Sequence, residues 1–249
     1  VNSALISDID NTLLGNKRAL RQLVGWLKEH RGKLAFGVAT GRTIDSAVAI
    51  LRQWQVPAPE VWITSVGSEI HYGVRRIPDT GWASHIRHKW RRDALAELMK
   101  TLPGLSLQAA GNQREFKLSY IADPDKMPPL EEINHHLREQ QLCAQLIYSH
   151  NEFLDVLPIR ASKGHAIRYL AYKWGFPLRN FLVAGDSGND HEMLVGDTLG
   201  VVVGNHSQEL EPLRGMEQIY FAHEHYAAGI LEGIAHYRFN EIKPAASQA

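Results

Sequence analysis

Residues 4–12 read ALISDIDNT, a short apolar run that ends in the two carboxylates of Asp8 and Asp10. The run Ala4–Ser7 has the length and composition of a short buried strand. In an open α/β sheet, ligands bind beyond the carboxyl ends of the strands, which is where Asp8 and Asp10 stand. This stretch therefore predicts the first strand of an α/β fold and a candidate site at its end.

Outward from this strand, strand patterns and helix patterns alternate. The predicted core strands are Ala4–Ser7, Leu34–Ala39, Val61–Val66, Phe181–Ala184 and Leu199–Val203. Amphipathic helix patterns, with apolar residues at i, i+3, i+4 and i+7, separate most of these strands. Nearly continuous apolar strands separated by amphipathic helices are typical of βαβ units. We therefore expect a parallel sheet with both faces covered by helices.

The alternation changes in the middle of the chain, where short strand patterns follow one another closely. These patterns are Leu105–Ala109, Phe116–Ile121, Cys143–Tyr148 and Phe153–Leu157. Paired strands with short connections, accompanied by two helix patterns, indicate an antiparallel sheet with helices on one face. We expect an α/β core domain, residues 1–75 and 160–249, interrupted by a smaller α+β domain, residues 76–159.

Composition excludes several classes of protein. The chain has 249 residues, with 27 Lys plus Arg against 27 Asp plus Glu, so its formal net charge is zero. A neutral chain has no overall field to attract nucleic acid or an anionic membrane. No apolar run approaches the ~18 residues of a membrane span, and the single cysteine, Cys143, cannot form an internal disulfide. We expect a cytoplasmic protein with no nucleic-acid or membrane partner.

Four groups of polar residues follow or flank the core strands. They are Asp8–Thr12, Thr40–Arg42, Lys163-Gly164 and Gly185–Asp190. Taken singly, such groups are usually turn formers or helix caps. Together they would bring four carboxylates to one edge of the sheet, where the carboxylates would repel one another unless a cation lay among them. Oxygen ligands of this kind favour a hard divalent cation, and magnesium in particular.

In combination, the four groups resemble the motifs of the haloacid dehalogenase superfamily of phosphotransferases. The resemblance implies a Rossmann-like core with a parallel sheet, and the inserted domain resembles the large α/β cap of that superfamily. From about residue 3 to about residue 238, the chain more closely resembles the sucrose-phosphate phosphatase family. The stretches that carry this closer resemblance are Ser7–Leu13, Ala39–Arg42, Val66–Ile70, Lys117–Tyr120, Asp155–Pro158 and Gly185–Asp190.

The resemblance implies hydrolysis of a phosphate ester in two displacements, and the chemistry of the residues agrees with it. Asp8 would attack phosphorus and form an aspartyl-phosphate. Asp10, two residues further on, can reach the bridging oxygen from the same side. It would protonate the departing alkoxide and then take a proton from water. Dehalogenases of the superfamily lack this second carboxylate, so Asp10 favours phosphoryl transfer.

The remaining motif residues would hold the phosphate and the metal. Lys163 would balance charge between Asp8 and the phosphate. Phosphate binding is implied for Thr40, Gly41 and Arg42. The implied magnesium ligands are Asp8, Asp186 and the main-chain carbonyl of Asp10, supported by Asn189 and Asp190.

The cap must select the sugar, because phosphate, metal and nucleophile are common to the superfamily. Our candidates are Glu69 beside the hinge, Lys117 on a cap strand and Asp155 on the last cap strand. Each is charged within an otherwise apolar or alternating stretch. The alternative, strongest for Lys117, is that these side chains alternate outward into solvent.

The expected function is magnesium-dependent hydrolysis of a phosphorylated disaccharide, sucrose 6-phosphate, to sucrose and phosphate. One alternative is a phosphatase of another sugar phosphate, such as mannosylfructose phosphate. Another is a regulatory phosphatase-like domain of a sucrose-phosphate synthase, and a synthase domain or subunit is also the expected protein partner. The chain begins at Val1, so either an initiator Met was trimmed or the chain is a segment of a longer protein. The presence of both Asp8 and Asp10 argues against an inactive domain.

Overall fold

The structure is a computed structural model that describes residues 2–241. The outer ends of the predicted core domain, residue 1 and residues 242–249, lie outside the described residues. Among the residues described, no helix has both the length and the apolar character needed to cross a membrane.

The described chain contains both strands and α-helices. The strands are β1 (Ala4–Ser7), β2 (Ala35–Ala39), β3 (Val61–Thr64), β4 (Glu69–Tyr72), β5 (Ile77–Pro78), β6 (Leu105–Leu107), β7 (Leu118–Ala122), β8 (Gln145–Ser149), β9 (Phe153–Leu157), β10 (Phe181–Gly185), β11 (Leu199–Val202) and β12 (Ile219–Phe221). The α-helices are α1 (Lys17–Glu29), α2 (Ile44–Gln53), α3 (Thr80–Ile86), α4 (Arg92–Lys100), α5 (Leu130–Glu139), α6 (Lys163–Trp174), α7 (His191–Leu194) and α8 (Ala227–His236).

The larger sheet forms the core, with strand order β12-β11-β10-β1-β2-β3-β4-β5. The strands from β12 to β3 are parallel, and β4 and β5 add an antiparallel edge. β1 lies between β2 and β10, so that Ala4 faces Ala35 on one side and Phe181 on the other. All residues of β1, β2 and β3 are buried, as a sheet covered on both faces requires. The predicted α/β fold with a parallel core sheet is confirmed.

Two groups of helices cover the two faces of this sheet. Helices α1, α2 and α8 pack on one face, with Leu23 and Ile230 among the buried residues. Helices α3, α6 and α7 pack on the other face, where Trp82 and Leu170 are buried. Each helix presents one apolar side to the sheet, which is the arrangement that the helical spacing of apolar residues predicts.

The smaller sheet lies in the inserted segment, with strand order β6-β7-β9-β8 and antiparallel pairing throughout. Helices α4 and α5 pack against it through residues such as Leu95 and Ile133. The predicted antiparallel sheet with accompanying helices is therefore confirmed. The predicted strand Cys143–Tyr148 begins later, at Gln145, and Cys143 lies before it, only partly buried.

The core departs from the sequence prediction at the end of β3. The predicted strand Val61–Val66 stops at Thr64, because the left-handed turn Ser65–Gly67 follows it with φ angles of 52°, 59° and 91°. Residues with positive φ cannot continue a strand. The chain reverses at this turn, and β4 returns antiparallel to β3. Apolar patterning does not reveal the turn, because Val66 is a β-branched residue that normally favours strands.

The predicted domain limits stay a prediction, and two elements bear on the first limit. Strand β5 and helix α3 both follow residue 75, yet β5 pairs with the core sheet. Trp82 and Ile86 of α3 pack among the apolar residues of the core. The chain enters the cap sheet at β6 and leaves it after β9.

Candidate active site

The carboxyl ends of β1, β2 and β10 meet at one edge of the core sheet and bring the four predicted motifs together. The backbone N–H of Asp8 donates to the carbonyl of Ala184 at 2.9 Å, so β1 stays paired with β10 up to the first motif residue. In the same way, the N–H of Thr40 donates to the carbonyl of Ile63 at 2.9 Å. Parallel pairing thus places the first, second and fourth motifs side by side.

Lys163, the first residue of α6, is the buried cation of this site. Its side chain is 0% exposed, and its Nζ atom donates to Asp8 Oδ1 at 2.7 Å and to Asp190 Oδ1 at 2.6 Å. Nζ also donates to Asn189 Oδ1. The side chains of Asn189 and Asp190 therefore hold the lysine directly, and the lysine in turn holds Asp8.

The loop after β10 folds back on its own last residue. Asp190 Oδ2 accepts from the backbone N–H groups of Asp186 at 2.9 Å and Ser187 at 3.1 Å. A Cβ atom on Gly185 would lie 2.5 Å from the Asp190 side chain, so this position needs glycine. Asp186 is fixed from the other side by Thr12, whose hydroxyl donates to Asp186 Oδ1 at 2.8 Å. In the Gly-Asp-x-x-Asn-Asp motif, the last Asp thus closes the loop by accepting hydrogen bonds from the backbone at its start.

The carboxylates of Asp8, Asp186 and Asp190 lie close together, and the ammonium group of Lys163 bonds to only two of them, Asp8 and Asp190, so this cluster carries surplus negative charge. Burial, together with Asp190, raises the pKa of Asp186 to about 7. Burial raises the pKa of Asp8 well above its usual range, with Asp190 and Asp186 adding to the effect and Lys163 opposing it. Burial alone would lower the pKa of Lys163, but Asp190 and Asp8 raise it above its ordinary value. The lysine therefore stays charged.

The same carboxylates fit a divalent metal ion. A ligand oxygen from each of Asp8, Asp186 and Asp190 lies within 4.8 Å of the others, and all three residues are buried. Hard divalent cations prefer such oxygen donors, and a cation would remove the repulsion among them. The oxygens of Asp190 already accept from Lys163 and from two backbone N–H groups. Asp8 and Asp186, which both line the cavity, are therefore the better candidates for direct ligands.

Asp10 lies at the mouth of the site, paired with Arg42. Arg42 Nε donates to Asp10 Oδ2 at 2.7 Å and Arg42 Nη2 donates to Oδ1 at 2.8 Å. A third guanidinium nitrogen donates to the Ser46 hydroxyl at 2.8 Å. Unlike Asp8, the Asp10 side chain is 47% exposed. The predicted phosphate ligand Arg42 thus contacts the predicted acid–base residue.

The left-handed turn Ser65–Gly67 supports two motifs at once, and the sequence patterns did not predict it. The N–H of Ser65 donates to the carbonyl of Arg42 at 2.8 Å, and the N–H of Val66 donates to the carbonyl of Thr40 at 3.0 Å. A Cβ atom on Gly67 would collide with the backbone of Ser162, just before Lys163. The turn therefore fixes the loop after β2 against the start of α6. Its sequence signal is the glycine itself.

A cavity of about 500 Å³ lies between this edge of the sheet and the cap. The core residues beneath it form what we call the floor, and the cap residues above it form the roof. Among the predicted site residues, the cavity is lined by Asp8, Asp10, Thr40, Gly41, Arg42, Asp186, Asn189, Lys117 and Asp155. Five further roof residues were not predicted: Gln108, Asn112, Ser149, His150 and Phe153. They belong to the ends of cap strands and to the connections between them, so the signal that marks them is their position in two hairpins.

Lys117 and Asp155 lie together in the roof. Lys117 is 5% exposed and its Nζ lies 3.4 Å from Asp155 Oδ1. The same carboxylate oxygen accepts from the Ser119 hydroxyl at 2.6 Å. Lys117 lies directly before β7 rather than on it. The alternative in which Lys117 points outward into solvent is wrong, because its charge is buried and paired with Asp155 of β9 inside the cap.

Glu69 is not among the residues that line the cavity in the described chain. Its Oε2 atom accepts from the hydroxyls of Thr64 and Ser65, both at 3.0 Å. Its Oε1 atom lies 3.7 Å from Arg114 Nε, on the cap. The structure therefore places Glu69 between the left-handed turn and the cap, beside the cavity rather than in it.

Known proteins match this chain along most of its length. The sequence pattern of the family described as sucrose-6F-phosphate phosphohydrolase matches residues 1–238. The chain is 32% identical to sucrose-phosphatase 2 of Nicotiana tabacum over 93% of its own length and 58% of that protein. It is 29% identical to the mannosylfructose-phosphate phosphatase of Agrobacterium fabrum, over 95% of its own length and 97% of that protein. The chain thus spans little more than half of the tobacco relative.

Among solved structures, the chain is similar to the sucrose-phosphatase of Synechocystis, determined in complex with sucrose and phosphate. The TM-score is 0.90 at 34% identity, and the match covers 95% of this chain and 98% of the other. A haloacid dehalogenase-like hydrolase of Bacillus subtilis matches with a TM-score of 0.65 at 17% identity, which shows the fold alone. By sequence and by fold, this chain belongs to the sucrose-6F-phosphate phosphohydrolase family, within the haloacid dehalogenase superfamily.

Proposed function

We propose that this chain hydrolyses sucrose 6-phosphate to sucrose and phosphate through a phosphorylated Asp8. The observation that carries the proposal is the buried Asp8–Lys163 pair, 2.7 Å apart, on the floor of a cavity with a polar roof. A phosphate monoester is an anion that repels nucleophiles, so its charge must be neutralised before an anionic oxygen can attack. A buried lysine beside the attacking carboxylate provides part of that charge.

Magnesium is the proposed metal, with Asp8 and Asp186 as its side-chain ligands and the main-chain carbonyl of Asp10 as the further ligand. Asn189 and Asp190 support the site by holding Lys163 and the loop after β10. When bound, the metal supplies positive charge that offsets the charge of the phosphate oxygens. The surplus of carboxylates over ammonium groups supports this proposal.

In the first step, a carboxylate oxygen of Asp8 forms a bond to phosphorus while the bond from phosphorus to the sugar oxygen breaks. Asp10 gives its proton to the departing sugar oxygen. Both oxygens of Asp10 accept from Arg42 in the substrate-free protein, and a carboxylate so held cannot deliver a proton. We infer that the incoming phosphate takes over the Arg42 guanidinium and so releases Asp10, which takes up from solvent the proton that it then gives to the sugar oxygen.

In the second step, Asp10 removes a proton from water as the water oxygen attacks phosphorus. The bond between phosphorus and Asp8 breaks, and the carboxylate returns to Lys163. Thr40, which is 1% exposed and lines the cavity, is placed to donate its hydroxyl to a phosphoryl oxygen in both steps. Asp10 thus acts as a general acid in the first step and as a general base in the second.

The test is release of inorganic phosphate from sucrose 6-phosphate after exhaustive chelation, and after addition of magnesium or calcium. We expect no turnover after chelation, full recovery with magnesium and none with calcium. Calcium takes more ligands at longer distance, which would draw the Asp8 carboxylate out of line for attack. Full activity in the chelated protein would contradict the metal assignment, and absence of turnover under all conditions would contradict the activity.

The relative from Agrobacterium fabrum supports a second candidate, hydrolysis of mannosylfructose phosphate. Its match covers 97% of that protein, and the match to the Synechocystis sucrose-phosphatase covers 98% of that chain, so coverage does not separate the two candidates. The two candidates share the same floor and differ only in the sugar that meets the roof. Parallel measurement of kcat/KM for the two disaccharide phosphates separates them.

Three predictions from the sequence stay predictions. They are the cytoplasmic location, the synthase domain or subunit as a partner, and the alternative role as a regulatory domain. Turnover of sucrose 6-phosphate by the isolated chain would show that the chain is not an inactive regulatory domain.

A further inference from the structure

Glu192, a residue of α7 outside the predicted motifs, contacts the cap. Its Oε1 atom accepts from Gln145 Nε2 at 2.9 Å. Gln145 is the first residue of β8 in the cap sheet, whereas α7 packs in the core. The hydrogen bond therefore joins the two parts of the molecule through one pair of side chains.

The second carboxylate oxygen of Glu192 holds the start of α6. Oε2 accepts from the Ser162 hydroxyl at 2.6 Å, and the Ser162 oxygen accepts from the N–H of His165 at 3.0 Å. Ser162 thereby caps the helix that begins at Lys163. The hydrogen bond from His165, with those from Ser162 and Gln145, lowers the pKa of Glu192 to about 2. Glu192 is therefore ionised at neutral pH, and an ionised acceptor makes the stronger kind of hydrogen bond.

The backbones of α6 and α7 also meet at this point. A Cβ atom on Gly164 would collide with the carbonyl oxygen of Glu192, so only glycine allows this approach. Because Gly164 follows Lys163 directly, a shift of Glu192 relative to α6 must also move the backbone that carries the lysine.

Strand β8 continues from Gln145 to the cavity. It ends at Ser149, and both Ser149 and His150 line the roof. At a rise of ~3.3 Å per residue, the two ends of this five-residue strand lie about 13 Å apart. Between them, the Tyr148 carbonyl lies against the loop after β10, where a Cβ atom on Gly188 would come within 2.9 Å of it. A sugar held by the roof therefore touches the same strand that bonds to Glu192 at its other end.

We propose that Glu192 is a positioning residue that couples the placement of cap strand β8 to the placement of the first turn of α6. Through that turn, it couples the cap to the Lys163 ammonium beside Asp8. The inference rests on the phosphatase function proposed above. A substrate that contacts the roof would, through this link, favour the working position of the lysine.

The first experiment uses no substrate. Backbone hydrogen exchange is measured for the full chain, for Gln145→Ala and for a matched control, Gln140→Ala, which removes the same atoms from an exposed position at the end of α5. We expect Gln145→Ala to speed exchange in the first turn of α6 by about tenfold, including the Ala166 amide that donates to Ser162, because one hydrogen bond of the link is lost. The control should leave that turn unchanged. Equal exchange in this turn in all three proteins would overturn the proposal, since a merely local role of Gln145 would affect β8 alone.

The second experiment is a double-mutant cycle of Gln145→Ala and Glu192→Ala, measured with sucrose 6-phosphate and with phenyl phosphate, which has no sugar. Gln145→Ala should lower kcat/KM for sucrose 6-phosphate about tenfold and alter turnover of phenyl phosphate less than about twofold. Glu192→Ala should lower kcat for both esters, because it also releases the start of α6. In the Glu192→Ala background, Gln145→Ala should then have no further effect. Additive losses in the double variant would contradict the link.

The two proposals fail in different ways. If the chain releases no phosphate from sucrose 6-phosphate, the proposed substrate is wrong, but the exchange experiment still decides whether the cap and α6 are linked. If sucrose 6-phosphate is hydrolysed and exchange in α6 does not respond to Gln145→Ala, the link is wrong and the proposed function stands.

Discussion

The floor and the roof of the cavity are built in opposite ways. On the floor, Lys163 is fully buried and bonded to Asp8 and Asp190, so each charge there depends on the others. In the roof, most side chains are neutral, and Asn112 and His150 are exposed. Loss of one partner on the floor leaves a buried charge unpaired, whereas exposed roof side chains such as Asn112 and His150 can be exchanged at little cost to the fold. This difference suits a division in which the floor performs the chemistry and the roof chooses the sugar.

The largest expected effect is on the floor, in Asp8→Asn. The change removes the attacking carboxylate, so kcat should fall by several orders of magnitude for sucrose 6-phosphate and fructose 6-phosphate alike. Phosphate release is the measurement, and circular dichroism checks that the fold survives. A much larger loss of kcat for one ester than for the other would contradict the division of roles between floor and roof.

Asp10→Asn should have the next largest effect. Positioned acid–base catalysis is typically worth ~10²–10⁴-fold, so kcat for sucrose 6-phosphate should fall within that range. The loss should be clearly smaller for p-nitrophenyl phosphate, whose leaving group departs without a proton. A loss below about tenfold with sucrose 6-phosphate would remove Asp10 from the acid–base role.

The roof is probed by Asp155→Asn. Asp155 lines the cavity beside Lys117, and leaving a buried partner unpaired costs ~1–3 kcal/mol. If a hydroxyl of the second sugar is the group that loses this partner, kcat/KM for sucrose 6-phosphate should fall roughly 5- to 150-fold. That for fructose 6-phosphate should change little, since this ester lacks the second ring. Asp123→Asn, on the cap surface and paired with Lys126, is the matched control and should preserve the preference. Equal efficiency of the unmodified protein on both esters would show that the roof does not read the disaccharide.

The last expected effect concerns stability rather than activity: it is the pH dependence of the free energy of unfolding in the metal-free protein. The pKa of Asp186 is raised to about 7 in the folded state, against ~3.9 in an unfolded chain. Between these values the folded state binds more protons than the unfolded state, so this group makes the free energy of unfolding fall as pH rises from about 4 to about 7. Thermal melts in chelator, compared with those of Asp186→Asn, isolate this contribution as the difference between the two pH curves. Identical pH curves for the two proteins would mean that the neighbouring carboxylates on the floor do not repel the Asp186 carboxylate.

The floor could be predicted from the sequence because each motif directly follows or flanks a buried strand. Asp8 and Asp186 come at the ends of apolar runs, and a parallel sheet necessarily brings those ends to one edge. Two contacts were not predicted: the bond of Lys163 to Asp190, which was expected to support the metal, and the pairing of Arg42 with Asp10. Side chains that meet from separate loops leave no pattern in the sequence.

The roof could not be predicted in this way. Gln108 and His150 lie in connections where polar residues are common, and nothing in their spacing says which way a hairpin points. Glu69 is a charged residue in an apolar stretch, as a sugar ligand would be, yet its carboxylate accepts from the hydroxyls of Thr64 and Ser65. A charged residue in an apolar stretch indicates a buried polar interaction, but the sequence does not identify the partner of that residue.

The central place of β1 in the sheet also predicts an order in which its contacts form. Its pairing with β2 closes a short loop, but its pairing with β10 joins Ala4 to Phe181 across the whole cap. Long-range parallel pairing is slow, because the entropy of loop closure is lost before the contacts form. The pairs of the cap sheet all fall between Leu105 and Leu157, so the cap can fold on its own contacts while β1 still has an open edge. We therefore expect the contacts of the cap sheet to form before β1 gains β10 as its second neighbour, because β10 follows the cap along the chain.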